Sequence, residues 1–213
     1  MKTFISTILL LLSINISAQE DALGVSLNVG TSQVTNTIFY NLDNLWYETL
    51  GLSGSAGIYY DHYFNENSLV EVDVLFSVLS SNHYYYDNSG IAYQTGEKIK
   101  SQLRYYYISI PVKYGYEHND FIYSLGGYVA VNTSAFSSWD NPVTGERMTN
   151  EFPRYENLDY GVTIGIERIL NNGMILGLNY SHGLANMIDS DEYHIKNRQL
   201  TFGIKYEFYR RMY

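Results

Sequence analysis

The chain contains no cysteine. That excludes disulfides, thiolate metal sites, a cysteine nucleophile and a lipid anchor carried on cysteine. Charged residues are scarce, at 16%, and the balance is acidic, with a formal net charge of −9. No basic stripe runs through the sequence, so nucleic acid is not an expected partner. Beyond the first dozen residues, no apolar run approaches the ~20 residues that a helical membrane span needs. The histidines, at positions 62, 83, 118, 182 and 194, do not stand at metal-ligand spacing. No metal, cofactor or catalytic residue is expected.

Aromatic residues are abundant, at 16%, with 23 tyrosines in 213 residues. That length suits a single domain. Lys2 precedes an apolar run from Phe4 to Leu12, and Ser17-Ala18 then precede Gln19. A basic start, a short apolar core and a small residue before a polar one predict a secretory signal over 1–18. Cleavage after Ala18 would remove Lys2 and move the net charge from −9 to −10. The remaining domain is then 19–213.

The stretch Tyr105 to Tyr116 sets the pattern for that domain. Tyr106, Ile108, Ile110, Val112, Tyr114 and Tyr116 form one face, and Tyr107, Ser109, Pro111, Lys113 and Gly115 the other. Side chains alternate across a strand with period two, so this is a strand with one apolar and one mixed face. Tyrosines cap aliphatics at both ends of the apolar face, as expected where that face meets lipid and its ends meet water. Pro111 has no N–H for a ladder and predicts a kink or bulge.

Seven further segments alternate in the same way. They are Leu23 to Gly30, Gly51 to Tyr63, Leu69 to Leu79, Phe121 to Asn132, Leu158 to Glu167, Met174 to His182, and Gln199 to Phe208. Three connections are tight by composition: Asn65-Glu66-Asn67, Glu117 to Asp120, and Asn171-Asn172-Gly173. The other four are long. Strict alternation of long and short connections, with strands of about 9–11 residues, predicts an all-β fold. The expected architecture is an eight-stranded antiparallel up-and-down transmembrane β-barrel. Tyr60, Phe64, Tyr114, Tyr116, Phe121, Tyr123, Tyr206 and Phe208 fall near the turn ends and would form the periplasmic aromatic girdle. Both termini would then lie in the periplasm and the long loops outside the cell.

The inward face carries Asp61, Glu71, Asp73, Lys113, Glu167, Lys205 and Glu207. The interior of eight strands is only wide enough for side chains to fill it. These charges are expected to form a packed lumen network, with Lys113 reaching Glu71 or Asp73. In the outer loops, Tyr84, Tyr85, Tyr86, Trp139 and Phe152 are the expected contact residues, since aromatics make rigid interface anchors. Ser181-His182 admits a hydrolase reading, but adjacent strand residues point to opposite faces and no acid partner is evident.

Four segments carry a family resemblance. They are Tyr107-Ile-Ser-Ile-Pro-Val-Lys-Tyr114, Gly126-Gly-Tyr-Val129, Leu158-Asp-Tyr-Gly-Val-Thr-Ile-Gly165 and Tyr180-Ser-His-Gly-Leu-Ala-Asn-Met187. With these the chain resembles the outer-membrane β-barrel domain family common in the Bacteroidetes, the group that includes PorT-like proteins. The resemblance implies a small envelope barrel and assigns no activity. The expected function is a non-enzymatic outer-membrane barrel in a structural or interaction role. Its partners would be outer-membrane lipid, the barrel-insertion machinery and an envelope protein partner. The alternatives are a narrow solute or ion pore, a lipid-modifying enzyme and a soluble lipocalin-like barrel.

Overall fold

The computed structural model describes residues 20–36, 46–85, 99–141, 144–151, 157–186 and 195–212. Nine strands run through them: β1 Glu20–Asn36, β2 Trp46–Asn65, β3 Ser68–Tyr85, β4 Ile99–His118, β5 Phe121–Asp140, β6 Arg147–Glu151, β7 Leu158–Ile169, β8 Met174–Gly183 and β9 Ile195–Met212. Every pairing is antiparallel. β1 to β5 pair in sequence, β5 pairs β7, β7 pairs β8, β8 pairs β9, and β9 returns to β1. Eight strands therefore close a ring. β6 is an addition that pairs with the far half of β5.

The period-two faces fall where the sequence places them. On β4, Ile108, Ile110, Val112, Tyr114 and Tyr116 are 44–52% exposed, while Tyr107, Ser109 and Lys113 between them are 2–9% exposed. Comparable exposed apolar residues ring the wall, among them Val25, Val74, Leu125, Ile164, Leu178 and Phe202. The ten residue steps from Tyr106 to Tyr116, at about 3.3 Å each and a strand tilt of about 40°, climb about 25 Å. That is the height of a lipid-facing apolar band.

The three tight turns lie together at one end. Asn67 N–H donates to Asn65 Oδ1 at 2.9 Å in the first. Asn119 and Asp120, with φ of 51° and 65°, take the left-handed conformations that a two-residue hairpin needs. Gly173, with φ of 78°, serves the same purpose in the third, where Leu170 N–H donates to Met174 O at 2.8 Å.

Two expectations need correction. Strand lengths reach 20 residues rather than about 9–11. Past the apolar belt the ladders continue with polar residues such as Gln102 and Arg104 on the outward face, so a lipid-facing apolar stripe no longer marks them. Parts of all four stretches read as loops are therefore strand, including β6. Pro111 produces neither a kink-forming insertion nor a bulge. The β3–β4 ladder runs from Val72–Val112 to Leu75–Ser109 in unchanged register and skips the pairs between, which include Pro111. The β4–β5 register shift lies elsewhere, at Tyr106/Tyr107.

Arginine at Ile110, near mid-belt, should destabilise the barrel by about 2–4 kcal/mol in lipid vesicles. Arginine at exposed Asn150 on β6 should cost under about 0.5 kcal/mol. Urea unfolding in liposomes measures both, and equal costs would place Ile110 in water.

Candidate functional site in the barrel lumen

The lumen is filled in layers. Nearest the turns, Tyr63, Leu69 and Ile122 form a buried apolar floor with Ile169 against it. Gly115 faces this floor, and a Cβ there would come within 3.0 Å of Ile122 and Leu69 side-chain atoms. Small residues on β4 thus make room for large ones on its neighbours.

The next layer is ionic. Lys113 Nζ lies 2.7 Å from Glu71 Oε1 and 3.7 Å from both Asp73 Oδ2 and Glu167 Oε1. Lys205 Nζ lies 2.8 Å and 2.9 Å from the two Glu167 oxygens and also donates to Glu71 Oε1. These five side chains come from β3, β4, β7 and β9, so the cluster ties distant walls of the ring together. Each of them is no more than 5% exposed. Lys205 also sits 5.0 Å from the centre of the Tyr59 ring. Asp61 is the cross-strand neighbour of Glu71, equally buried, and its Oδ1 has no hydrogen-bond partner. Asp73 Oδ1 is likewise unpartnered.

Glu207 does not join this cluster. A register shift at Leu23/Gly24 turns the end of β9, and both Glu207 oxygens accept from Arg210 at 2.9 and 2.7 Å. Arg210 also holds Glu20 at 2.8 Å. Its hydrogen bonds to Glu207 raise the Arg210 pKa and keep it charged at the turn-side rim. The lumen charges are therefore two groups, one central and one at the mouth.

Above the ionic layer lies a polar cavity of about 80 Å³, room for a few water molecules. Asn28 donates to Ser55 at 3.0 Å, Ser77 and Ser109 are 3.0 Å apart, and Ser181 donates to Thr163 at 3.2 Å. Tyr128 and Asn197 both donate to Asp159 Oδ2 at 3.2 Å. An apolar cap of residues from β1, β3, β4 and β5 lies on the far side: Val34, Leu79, Tyr105, Tyr107, Ala130 and Ala135, with Leu103 and Tyr128 against them. Sequence reasoning did not single out this cap or Asp159. Tyr105 and Tyr107 share the parity of Lys113, and that was the available signal.

Among the loop residues, Tyr84 and Tyr85 stand at the end of β3 and Trp139 near the end of β5, on strand rather than loop. Tyr86 and Phe152 lie outside the described residues. Ser181 faces the lumen, whereas His182 faces Tyr180, whose hydroxyl is 3.5 Å from its Nδ1. The pair does not form a nucleophile and base. Among the described residues no group of three or more His, Asp or Glu is placed to hold a metal ion.

Residues 4–208 match the outer membrane protein beta-barrel domain. The chain belongs to that family. None of the curated proteins matches it. Solved structures similar to it include Ail, the attachment invasion locus protein of Yersinia pestis. That protein is 16% identical, with 90% of this chain and 99% of Ail covered and a TM-score of 0.46. Neisserial surface protein A is 11% identical, with 89% and 99% covered and a TM-score of 0.48. The outer membrane enzyme PagL is 9% identical, with 84% and 98% covered and a TM-score of 0.33. As an outer-membrane barrel, the chain turns its apolar belt to lipid and keeps the charges at belt depth inside.

Removing one partner of a buried pair leaves the other charge uncompensated, typically at a cost of 3–5 kcal/mol. Lys205→Met should therefore destabilise the barrel by about that amount. Adding Glu167→Gln to Lys205→Met should recover part of the loss, as read from denaturant midpoints in a double-mutant cycle. Strictly additive losses would show that the cluster is not coupled.

Proposed function

We propose that this outer-membrane barrel is non-enzymatic, has both termini in the periplasm, and acts in a structural or interaction role. It would present its extended outer strands and loops, or serve as a subunit of a larger envelope assembly with an envelope protein partner. The observation that carries this reading is the filled lumen. An apolar floor, a cross-braced ionic layer and an aromatic cap follow one another along the axis. A pore needs a continuous wet path, and the layering of buried side chains is the reason for preferring a role other than a pore. An acyl-transfer enzyme needs a nucleophile beside its base, and Ser181 and His182 face apart.

The strand extensions support the same reading. β3, β4 and β5 run well past the belt, and β6 adds a hairpin there. The secretory signal over 1–18 and the barrel-insertion machinery would deliver the chain to the membrane. Residues 1–18 lie outside the described residues.

Purified barrel in planar bilayers should show no discrete conductance steps. Regular steps abolished by substitutions in the ionic layer would establish the pore instead. The absence of native cysteine allows a clean orientation test. With single cysteines at Asn119 and Glu146, a membrane-impermeant maleimide should label whole cells at Glu146 and not at Asn119. The opposite pattern would invert the barrel.

A further inference from the structure

We propose that the outer wall of β4, β5 and β6, just beyond the apolar belt, binds a phosphorylated lipid headgroup. The lipid would belong to the leaflet at the loop end of the barrel. The inference uses the outer-membrane placement of the chain and does not depend on the role proposed above.

Two guanidiniums converge there on one neutral oxygen. Arg104 donates to Gln102 Oε1 from Nε at 3.1 Å and from Nη2 at 2.7 Å. Arg147 donates to the same Gln102 oxygen at 3.2 Å and to Ser138 Oγ at 3.0 Å. Lys100 lines the same recess, with Ser138, Asp140 and Arg147. Among the described residues Lys100, Arg104 and Arg147 make no ion pair, whereas Lys113, Lys205 and Arg210 are all matched to carboxylates. Asp140 and Glu151 are the carboxylates on this face of β5 and β6, and neither pairs with a cation there. The result is a net positive face on a chain of net charge −9.

Height selects the ligand. On β4, Gln102 and Arg104 continue the outward parity of Tyr106 and Ile108. Tyr106 packs against Phe136 at 5.9 Å and Phe76 at 6.2 Å, which marks the upper aromatic girdle. Arg104 lies two residues farther along, about 5 Å higher along the membrane normal, and Gln102 about 10 Å higher. That is the level of headgroup phosphates. A guanidinium is a fixed fork of donors that matches phosphate oxygens bidentately. Two forks with a common anchor leave their remaining donors free to grip one phosphate.

The probe is a phosphorylated outer-membrane glycolipid compared with its enzymatically dephosphorylated form. Native mass spectrometry of the detergent-solubilised barrel counts the lipid retained. The wild-type barrel should prefer the phosphorylated lipid, and Arg104→Gln with Arg147→Gln should weaken that preference about tenfold or more. Arg168→Gln, near the turn end, should leave it unchanged. Both altered arginines are exposed, and unchanged heat-modifiable gel migration verifies folding. Equal retention of the two lipids, an unaltered preference in the double variant, or displacement by an equal concentration of inorganic phosphate would overturn the proposal.

Discussion

Hydrocarbon offers no hydrogen bonds, so every backbone N–H and C=O at membrane depth must be satisfied within the protein. The β1–β9 pairing answers that constraint here, because it removes the two edges that an eight-stranded sheet would otherwise expose. Much of the rest follows from it. A closed ring has an inside, and eight strands leave an inside that side chains must fill. One face of each strand is then set by lipid and the other by packing across the lumen.

The filling explains why charge sits where burial would ordinarily exclude it. Glu71, Glu167, Lys113 and Lys205 lie away from solvent, yet each finds an opposite charge on another strand. Their attachment to distant walls braces the ring against ovalisation, which neighbouring ladders alone do not resist. Removing any one would leave its neighbours with fewer opposite charges than they have now. Asp61 and Asp73 keep oxygens without protein partners beside this cluster, and the polar cavity above it offers the nearest space for water.

The fold was legible in the sequence because lipid and lumen impose opposite demands on alternate residues. Tyr106 to Tyr116 showed that alternation directly, and Asn119-Asp120 and Asn171-Asn172-Gly173 named their turns by composition. The pairing of Lys113 with Glu71 also followed, since both faces and the adjacency of the strands were readable. The partner of Glu207 did not, because the register shift at Leu23/Gly24, which passes over Phe208 and brings Arg210 beside Glu207, leaves no mark in the pattern. The outer extensions were invisible for a different reason. Beyond the belt the outward face turns polar, so Gln102, Arg104, Ser138 and Arg147 look like loop residues until their ladder is seen. Tyr107, on the mixed face of β4, stands with Tyr105 in the cap of the lumen.

The central claim is that a closed ring turns one face of each strand to lipid and the other to a packed interior. Spin labels placed one at a time from Gln102 to His118 in lipid vesicles test it most directly. The expected result is a period-two pattern. Oxygen should collide strongly with labels at Ile108, Ile110 and Val112, water-soluble nickel should not, and labels at Ser109 and Lys113 should be protected from both. Nickel access at Ile110 equal to that at Gln102, or no alternation between neighbours, would contradict the account.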